Sequence, residues 1–275
     1  MPELPEAETA RRHLEAAVTG AKIRRVEVHI PRSARAHESP KELAALVEGK
    51  KIARVGRRGK AVLLFLDGKQ PATLVIRLGM SGHLRIAKKG EPREKHLAGV
   101  LELAGGREIR YVDPRTFGQM VARVGHDPDT MPEFESYGPE PLSKEFTADY
   151  LKSVLGHRSV GLQVALMNQA IVAGIGKIYA DEICFRAGIR PTRKVSTLTG
   201  PMRQRLVEAT RGVLRQAIRL GGTTTGDESW PYGRFQDKLF VYQRAGEACR
   251  VCKTTIRRTA MPGGRGMHWC PGCQR

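Results

Sequence analysis

The chain has 275 residues, 40% of them hydrophobic, which is enough for a sizeable core in one large domain or several smaller ones. Its 47 Lys and Arg residues outnumber its 28 Asp and Glu residues, giving a formal net charge of +19. This charge indicates a polyanionic partner, with nucleic acid ahead of an anionic membrane; charge kept only for solubility is the alternative. No apolar run is long enough for a membrane span and no secretory signal opens the chain, so we expect a cytoplasmic protein.

Apolar periodicity divides the chain into three parts. Residues 5–18 predict a helix, with Pro5 in its first turn and Gly20 beyond its end. Residues 22–124 change to a period of two, which predicts short strands in a sandwich or barrel. The strands are expected near 26–30, 61–66, 73–76, 100–103, 109–112 and 120–124, and later helices near 145–155, 161–172, 178–187 and 202–220. We therefore predict an α+β protein with a β domain at 1–130, a helical domain at 131–238 and a small module at 239–275.

Four of the five cysteines lie in the last 27 residues, as two Cys-x2-Cys pairs separated by 17 residues. They are Cys249, Cys252, Cys270 and Cys273. Two knuckles of this kind bring four thiolates to one tetrahedral zinc ion, and the spacing between them suits a β-hairpin. Because all four ligands come from the protein, the predicted single Zn²⁺ is structural. The module is rich in arginine, which suits phosphate binding, but zinc ribbons serve many functions. We expect the fifth cysteine, Cys184, to be a buried small apolar residue.

A glycine-rich turn, Ala173-Gly174-Ile175-Gly176-Lys177, precedes the helix predicted near 178–187. Backbone N–H groups at a helix N-terminus bind phosphate, and Lys177 would add a point charge. A tight turn between two helices needs the same small residues. On these residues alone, the two interpretations stay open.

The N-terminus also has two interpretations. Removal of Met1 would leave Pro2 with a secondary α-amine, whose pKa lies far below that of lysine, so that much of it is neutral and nucleophilic. Glu3 beside it could transfer protons. However, Pro at position 2 is also typical of proteins that merely lose their initiator Met.

Together these motifs resemble bacterial formamidopyrimidine-DNA glycosylase, in the formamidopyrimidine/endonuclease VIII family. The matching segments follow the family order along essentially the whole chain: Met1–Thr9, Arg57–Lys60, Leu78–Gly82, Asp113–Gly118, Tyr137–Leu142, Gly174–Glu182, Gly221–Thr224 and the four cysteines. The resemblance implies an N-terminal catalytic β-sandwich, a helix-two-turn-helix domain and a C-terminal zinc-finger hairpin. It also implies a bacterial, nucleoid-associated monomer that binds damaged double-stranded DNA and uses no nucleotide cofactor.

The implied activity is base-excision repair by a bifunctional glycosylase and apurinic/apyrimidinic lyase. Such an enzyme excises oxidised purines, 8-oxoguanine and formamidopyrimidines, and cleaves the abasic site by β,δ-elimination. By resemblance, Pro2 attacks the sugar C1′ and forms a Schiff base, and Glu3 is the proton donor. Lys60 and Arg265 hold the lesion-side phosphates and assist the eliminations.

The resemblance further implies that Met80, Arg115 and Phe117 form a wedge that fills the gap left by the extruded base. Without it, a core Met, a core Phe and a surface Arg would explain these three residues. The other implied DNA contacts are His96, Arg158, Gly176 and Lys177.

The chain departs from the family pattern at several positions. Lys177 stands where the family has Asn, Thr116 replaces a second basic residue, Gln163-Val164 replaces a Lys-Pro pair, Asn168 replaces Asp, and the loop 223–236 lacks the usual Gly-Lys-Pro-Gly-Tyr-Phe run. Two alternatives are a preference for oxidised pyrimidines, as in endonuclease VIII, and a catalytically silent damaged-DNA-binding zinc protein. The Pro2-Glu3-Leu4 start favours the purine branch, since the sister group typically begins Pro-Glu-Gly.

Overall fold

The computed structural model describes residues 2–224, 233–260 and 266–275. These residues form two compact units. The first contains residues 2–135 and 224, and the second contains residues 136–223, 233–260 and 266–275.

The first unit begins with helix α1, Leu4–Val18, which confirms the predicted N-terminal helix. Its buried positions include Leu4, Leu14 and Val18, which line one face and enter the core. The remaining elements are β1 Ile23–Val28, α2 Pro40–Val47, β2 Lys51–Arg58, β3 Ala61–Asp67, β4 Ala72–Arg77, β5 His83–Lys88, β6 Leu97–Leu103, β7 Arg107–Val112 and β8 Gln119–Val124.

The strands form two antiparallel four-stranded sheets, in the orders β1-β6-β7-β5 and β2-β3-β4-β8. Side chains from both sheets meet in one core that also takes in α1 and α2. This arrangement confirms the predicted β-sandwich. Its short hairpins leave the connecting loops 78–82 and 113–118 at the ends of strands, where they can carry function.

The second unit contains the helices and the cysteine module. Its elements are α3 Ala148–Leu155, α4 Leu162–Met167, α5 Lys177–Ala187, α6 Gly200–Arg219 and the hairpin of β9 Arg257–Thr259 with β10 Met267–Trp269. Helix α5 is buried along nearly its whole length, so it is the central element of this unit. Cys184 is fully buried within α5, as expected.

Three details differ from the sequence prediction. Helix α2 lies inside the stretch predicted to be all strand, and the polar strands β2 and β5 were not predicted. Helix α4 ends at Met167 instead of continuing to 172, because Asn168 leaves helical geometry and its side-chain Oδ1 accepts from Ala170 N–H at 3.0 Å. No helix among the described residues is both long enough and apolar enough to cross a membrane.

Candidate functional site

The predicted nucleophile and proton donor lie at the head of α1. Pro2 is buried, and Glu3, the N-cap residue, has no exposed surface. The Glu3 backbone N–H donates to the Glu6 carboxylate at 2.8 Å, as part of a capping box between these two residues. The first turn of α1 therefore holds Glu3 in place directly next to Pro2 in the chain.

Lys60 occupies the two-residue turn that joins β2 to β3. Gly59, the other turn residue, has φ +55°, a conformation that glycine adopts without strain. Arg57 Nη1 donates to the Gly59 carbonyl at 2.8 Å, and Arg57 Nε donates to Glu8 at 3.3 Å. The turn that carries Lys60 is thus tied to the same helix that begins at Pro2 and Glu3.

Glu8 also binds two arginines of its own helix, Arg11 at 3.1 Å and Arg12 at 2.8 Å. Burial alone would raise the pKa of Glu8, but hydrogen bonds from Arg11 and Arg12, with the charge of Arg57, lower it below its ordinary value. Glu8 is therefore an ionised anchor that holds Arg57 against the Lys60 turn.

The predicted wedge residues lie on two loops that interlock through their backbones. Gly79 has φ +65°, and a Cβ there would lie 2.5 Å from the Gly118 nitrogen. Met80 and Phe117, beside these glycines, are 37% and 46% exposed. Exposed Met and Phe side chains on rigid loops are suited to contact with an apolar base surface and are not the core residues of the alternative interpretation.

Asp113 holds the second loop from the inside. Its carboxylate accepts from Gly118 N–H at 2.7 Å, from the Ser81 hydroxyl at 3.1 Å and from the Tyr111 hydroxyl at 3.3 Å. Burial, and then the Asp113 charge, raise the pKa of Tyr111, so its hydroxyl keeps its proton and remains a donor. Sequence reasoning treated Asp113 only as part of a motif and did not identify this role.

Cations flank the exposed Phe117 ring. The guanidinium carbons of Arg115 and Arg32 lie 5.5 and 5.8 Å from the ring centroid. Thr116, which replaces the second basic residue of the family motif, has φ +55° and turns the chain between Arg115 and Phe117. Arg35 donates to the Gly118 carbonyl at 2.8 Å and supports the loop from outside.

Two predicted DNA contacts are exposed. The His96 carbonyl accepts from Asp113 N–H at 3.0 Å, so His96 adjoins the base of the wedge loop. Arg158 follows α3, and its Nε donates to the Val154 carbonyl at 2.9 Å. Both lie on loops, where side chains can reach a ligand.

The glycine turn before α5 is braced by a side chain that sequence reasoning missed. Gln169 Oε1 accepts from Gly174 N–H at 2.8 Å, and Gln169 Nε2 donates to the Ile175 carbonyl at 2.9 Å. Gly174 has φ +86°, and Gly176 is the N-cap of α5 in an extended conformation. The turn therefore presents the start of a helix, the backbone geometry that suits an anion.

Lys177 is the first residue of α5, and its side chain is only 19% exposed. Its Nζ lies 3.6 Å from Asp181 Oδ2 and 4.7 Å from the centroid of the Tyr242 ring. The side chain is thus held among other residues and is not simply directed into solvent. Asp181, Tyr242 and His268 form a cluster. Because these residues are far apart in the sequence, no motif predicts that they meet.

The four predicted metal ligands converge. All four Sγ atoms lie within 4.8 Å of one another. Four thiolates about 2.3 Å from a tetrahedral Zn²⁺ stand about 3.8 Å apart, so the set fits a zinc ion. A hydrogen bond from the Thr254 side chain lowers the pKa of Cys252 to about 6, whereas burial raises the pKa values of Cys270 and Cys273.

Helix α5 anchors the cysteine module. Glu182 is buried, and its carboxylate accepts from the backbone N–H groups of Phe240, Val241 and Tyr242 at 2.9–3.1 Å. The Phe240 ring stacks on Phe185 with centroids 5.0 Å apart. The module therefore starts at a fixed point on the helix that also carries Lys177.

Arg265 and most of the divergent loop, residues 225–232, lie outside the described residues.

The chain is similar over its whole length to known proteins. Residues 1–120 match the family model for the formamidopyrimidine-DNA glycosylase N-terminal domain, and residues 137–229 match the model for the H2TH domain of that family. The formamidopyrimidine-DNA glycosylase of Symbiobacterium thermophilum is 44% identical, over all of this chain and 89% of that protein. The one from Thioalkalivibrio sulfidiphilus is 42% identical, over the full length of both.

The chain is also similar to solved structures of Fpg proteins. A Lactococcus lactis Fpg variant in complex with Fapy-dG-containing DNA has a TM-score of 0.91 and 33% identity, with full coverage of both chains. A complex of the Lactococcus lactis Fpg with DNA containing an abasic site has a TM-score of 0.89 and 33% identity, with 99% of each chain covered.

Proposed function

The chain belongs to the formamidopyrimidine-DNA glycosylase family, and from that premise we propose how its own residues carry out the reaction. Its activity is base-excision repair: it removes oxidised purines from DNA and cleaves the resulting abasic site as a bifunctional glycosylase and lyase. The relatives named above all belong to this purine-directed group, which favours it over the endonuclease VIII-like and catalytically silent alternatives. The observation that carries the proposal is the burial of Pro2 and Glu3 at the capped head of α1.

Pro2 is the nucleophile once Met1 has been removed. Its secondary amine donates an electron pair to the sugar C1′, the glycosidic bond breaks, and the base leaves with that bond's electrons. Glu3 donates the proton that this departure or the opening of the sugar ring requires. Loss of the Pro2 proton and opening of the ring give a cationic imine at C1′.

The imine then drives two eliminations. It withdraws electrons from C2′, so a C2′ proton is lost and the C3′–O bond breaks; in a second elimination a C4′ proton is lost and the C5′–O bond breaks. Phosphate leaves in both steps, and cations stabilise its charge. Lys60, on the turn held by Arg57 and Glu8, supplies one cation, and Arg265 supplies another.

Access to the damaged base requires its extrusion from the duplex. Met80 and Phe117 fill the vacated space, and Arg115 hydrogen-bonds the unpaired base opposite. His96, Arg158 and the turn at Gly176-Lys177 contact phosphates. The cation pair around Phe117 and the exposed wedge side chains support this division between base contacts and phosphate contacts.

A single structural Zn²⁺ is held by Cys249, Cys252, Cys270 and Cys273. Such an ion supplies folding free energy to the hairpin and leaves no open coordination position for chemistry. We also propose the division into domains at 1–130, 131–238 and 239–275. The relatives named above are bacterial, which supports an action on nucleoid DNA in the cytoplasm.

Borohydride trapping on duplexes that each carry one lesion tests the proposal. The imine should be trapped on 8-oxoguanine and formamidopyrimidine duplexes far more than on oxidised pyrimidines. Protein that retains Met1 should trap none, because Pro2 is then an amide. Equal trapping by the Met1-retaining protein would remove Pro2 from the mechanism, and faster trapping on pyrimidine lesions would move the enzyme to the other branch.

A further inference from the structure

Two departures from the family pattern meet on one buried carboxylate. The resemblance described in the sequence analysis implies Lys at position 163, in a Lys-Pro pair common in the family, and Asn at position 177, whereas this chain has Gln163 and Lys177. Gln163 Nε2 donates to Asp181 Oδ1, and Lys177 Nζ lies 3.6 Å from Asp181 Oδ2. The chain thus carries one lysine at this pair of positions, as the family does, but at the other position.

Asp181 needs a cation nearby. It has no exposed surface, and a buried carboxylate is costly unless charge and hydrogen bonds compensate it. Its Oδ2 also faces the backbone N–H and ring Nδ1 of His268 at 3.1 and 3.0 Å. Among the described contacts of Asp181 outside His268, Lys177 is the residue that brings a permanent positive charge.

Lys177, in turn, needs an anion nearby. It is the first residue of α5, where the helix dipole disfavours a positive charge. Lys four residues before Asp is also the weaker order for a helical ion pair, so an exposed pair of this kind would contribute little. The burial of Asp181 and the Tyr242 ring 4.7 Å from the ammonium make this pair stronger than its sequence spacing suggests.

The two positions differ in what else a lysine there could do. Gln163 is 1% exposed, so a lysine at 163 would be buried and would serve only Asp181. Lys177 keeps 19% of its side chain exposed beside the N-cap glycine of α5. From there a lysine can neutralise Asp181 and also face an anion outside the protein.

We propose that Gln163 and Lys177 form one coupled exchange around Asp181, which moves a lysine from a buried position to one where it also neutralises a DNA phosphate. The second half of this statement rests on the proposed function, whereas the first half concerns the folded protein alone. Asp181 is accordingly a positioning residue, which acts on DNA through Lys177.

A swap experiment tests both halves. The variants are Q163K, K177N and the double variant Q163K/K177N, which restores the family arrangement. Each single variant should lower the thermal midpoint by about 2–6 °C. Q163K places two cations around Asp181, and K177N leaves Asp181 without its cation. The double variant should return to within about 2 °C of the parent. A matched swap at exposed positions, Q204K with K152N, should show purely additive effects.

The salt dependence of DNA affinity separates the second half from the first. K177N should lose about 0.9 units of the slope of log affinity against log salt, and Q163K should keep the parental slope. The double variant should regain its stability and still lack those 0.9 units, because its lysine is buried. A double variant that regains the slope would overturn the phosphate assignment.

The remaining outcomes test the coupling of positions 163 and 177 and the phosphate contact of Lys177 separately. If the losses in midpoint from the single variants simply add in the double variant, positions 163 and 177 are not coupled, whatever the DNA data show. If K177N keeps the full slope while the midpoints show coupling, the exchange stands and Lys177 is removed from the DNA contacts of the proposed function. Should Q163K fail to fold, D181N decides instead: K177N should then cost no further stability in the D181N background.

Discussion

The proposed wedge loops of the first unit and the proposed phosphate-binding turn of the second unit are held in place by different means. Gly79 and Gly118 bring two backbones into contact that leaves no room for a Cβ, and Asp113 joins the two loops by accepting hydrogen bonds from Gly118 N–H and the Ser81 hydroxyl. The turn before α5 is instead braced by the Gln169 side chain, and Asp181 in the helix that follows is joined to the side chains of Gln163 and His268, which are distant in sequence. A backbone lock tolerates little change, whereas a side-chain cluster can be rearranged if its total charge is kept.

Loss of the metal should have the largest effect and should fall on the second unit. Structural zinc contributes about 10–16 kcal/mol in small zinc modules, so Cys270→Ser should unfold the hairpin and displace His268 from Asp181. We expect affinity to fall on the order of 100-fold for lesion and intact duplex alike, because phosphate contacts carry no lesion information. Metal analysis and binding titrations measure this. Cys184→Ala, which removes a thiol elsewhere, should keep about one zinc per chain. Undiminished affinity in metal-free protein would contradict the expectation.

The backbone lock predicts the next largest effect. In Gly79→Ala, strain at φ +65° and the contact with the Gly118 nitrogen together should cost about 2–5 kcal/mol and should displace the wedge. Gly105→Ala is the matched control, since φ is +92° there but a Cβ would meet nothing within 4 Å. It should show only the strain, about 1–2 kcal/mol, with normal excision. Urea unfolding and single-turnover excision measure the two effects, and equal losses in both variants would exclude the interlock.

The wedge side chains should have a smaller effect than the backbone that carries them. Met80→Ala and Phe117→Ala should each reduce excision from duplex DNA about tenfold, because less apolar surface fills the gap, and should make the opposite base matter less. The salt slope should not change, since neither side chain contacts phosphate. Val124→Ala, at another exposed apolar residue of the same unit, should leave excision unchanged. An altered slope with intact excision in either variant would remove that residue from the wedge.

The same contrast explains what could be predicted from the sequence. The cysteine cluster and helix α1 depend on residues close together in the chain, so the sequence pattern was sufficient to predict them, whereas the wedge stays a prediction. The polar strand β2 escaped because its charged positions hide the alternation, and α2 escaped because eight residues are too few for a clear period. Two partners of Asp181, Gln163 and His268, lie 18 and 87 residues away, and only the folded chain brings them to it.

The smallest predicted effect concerns Glu8, the anchor of the Lys60 turn. Its pKa is lowered in the folded protein, so its stabilising contribution is complete above its ordinary value of 4.5 and is lost as the pH falls through the lowered value. Glu8→Gln should therefore cost about 1 kcal/mol at pH 7, and the difference from the parent should vanish in acid, where the parental Glu8 is protonated as well. It should also slow strand cleavage at a preformed abasic site severalfold, because Arg57 no longer holds the turn firmly. Glu15→Gln removes a second, more exposed partner of Arg11 and should leave cleavage unchanged. Urea unfolding at pH 7 and at successively lower pH makes the comparison, and a difference that stays constant through the protonation of Glu8 would show that the Glu8 charge is not its source.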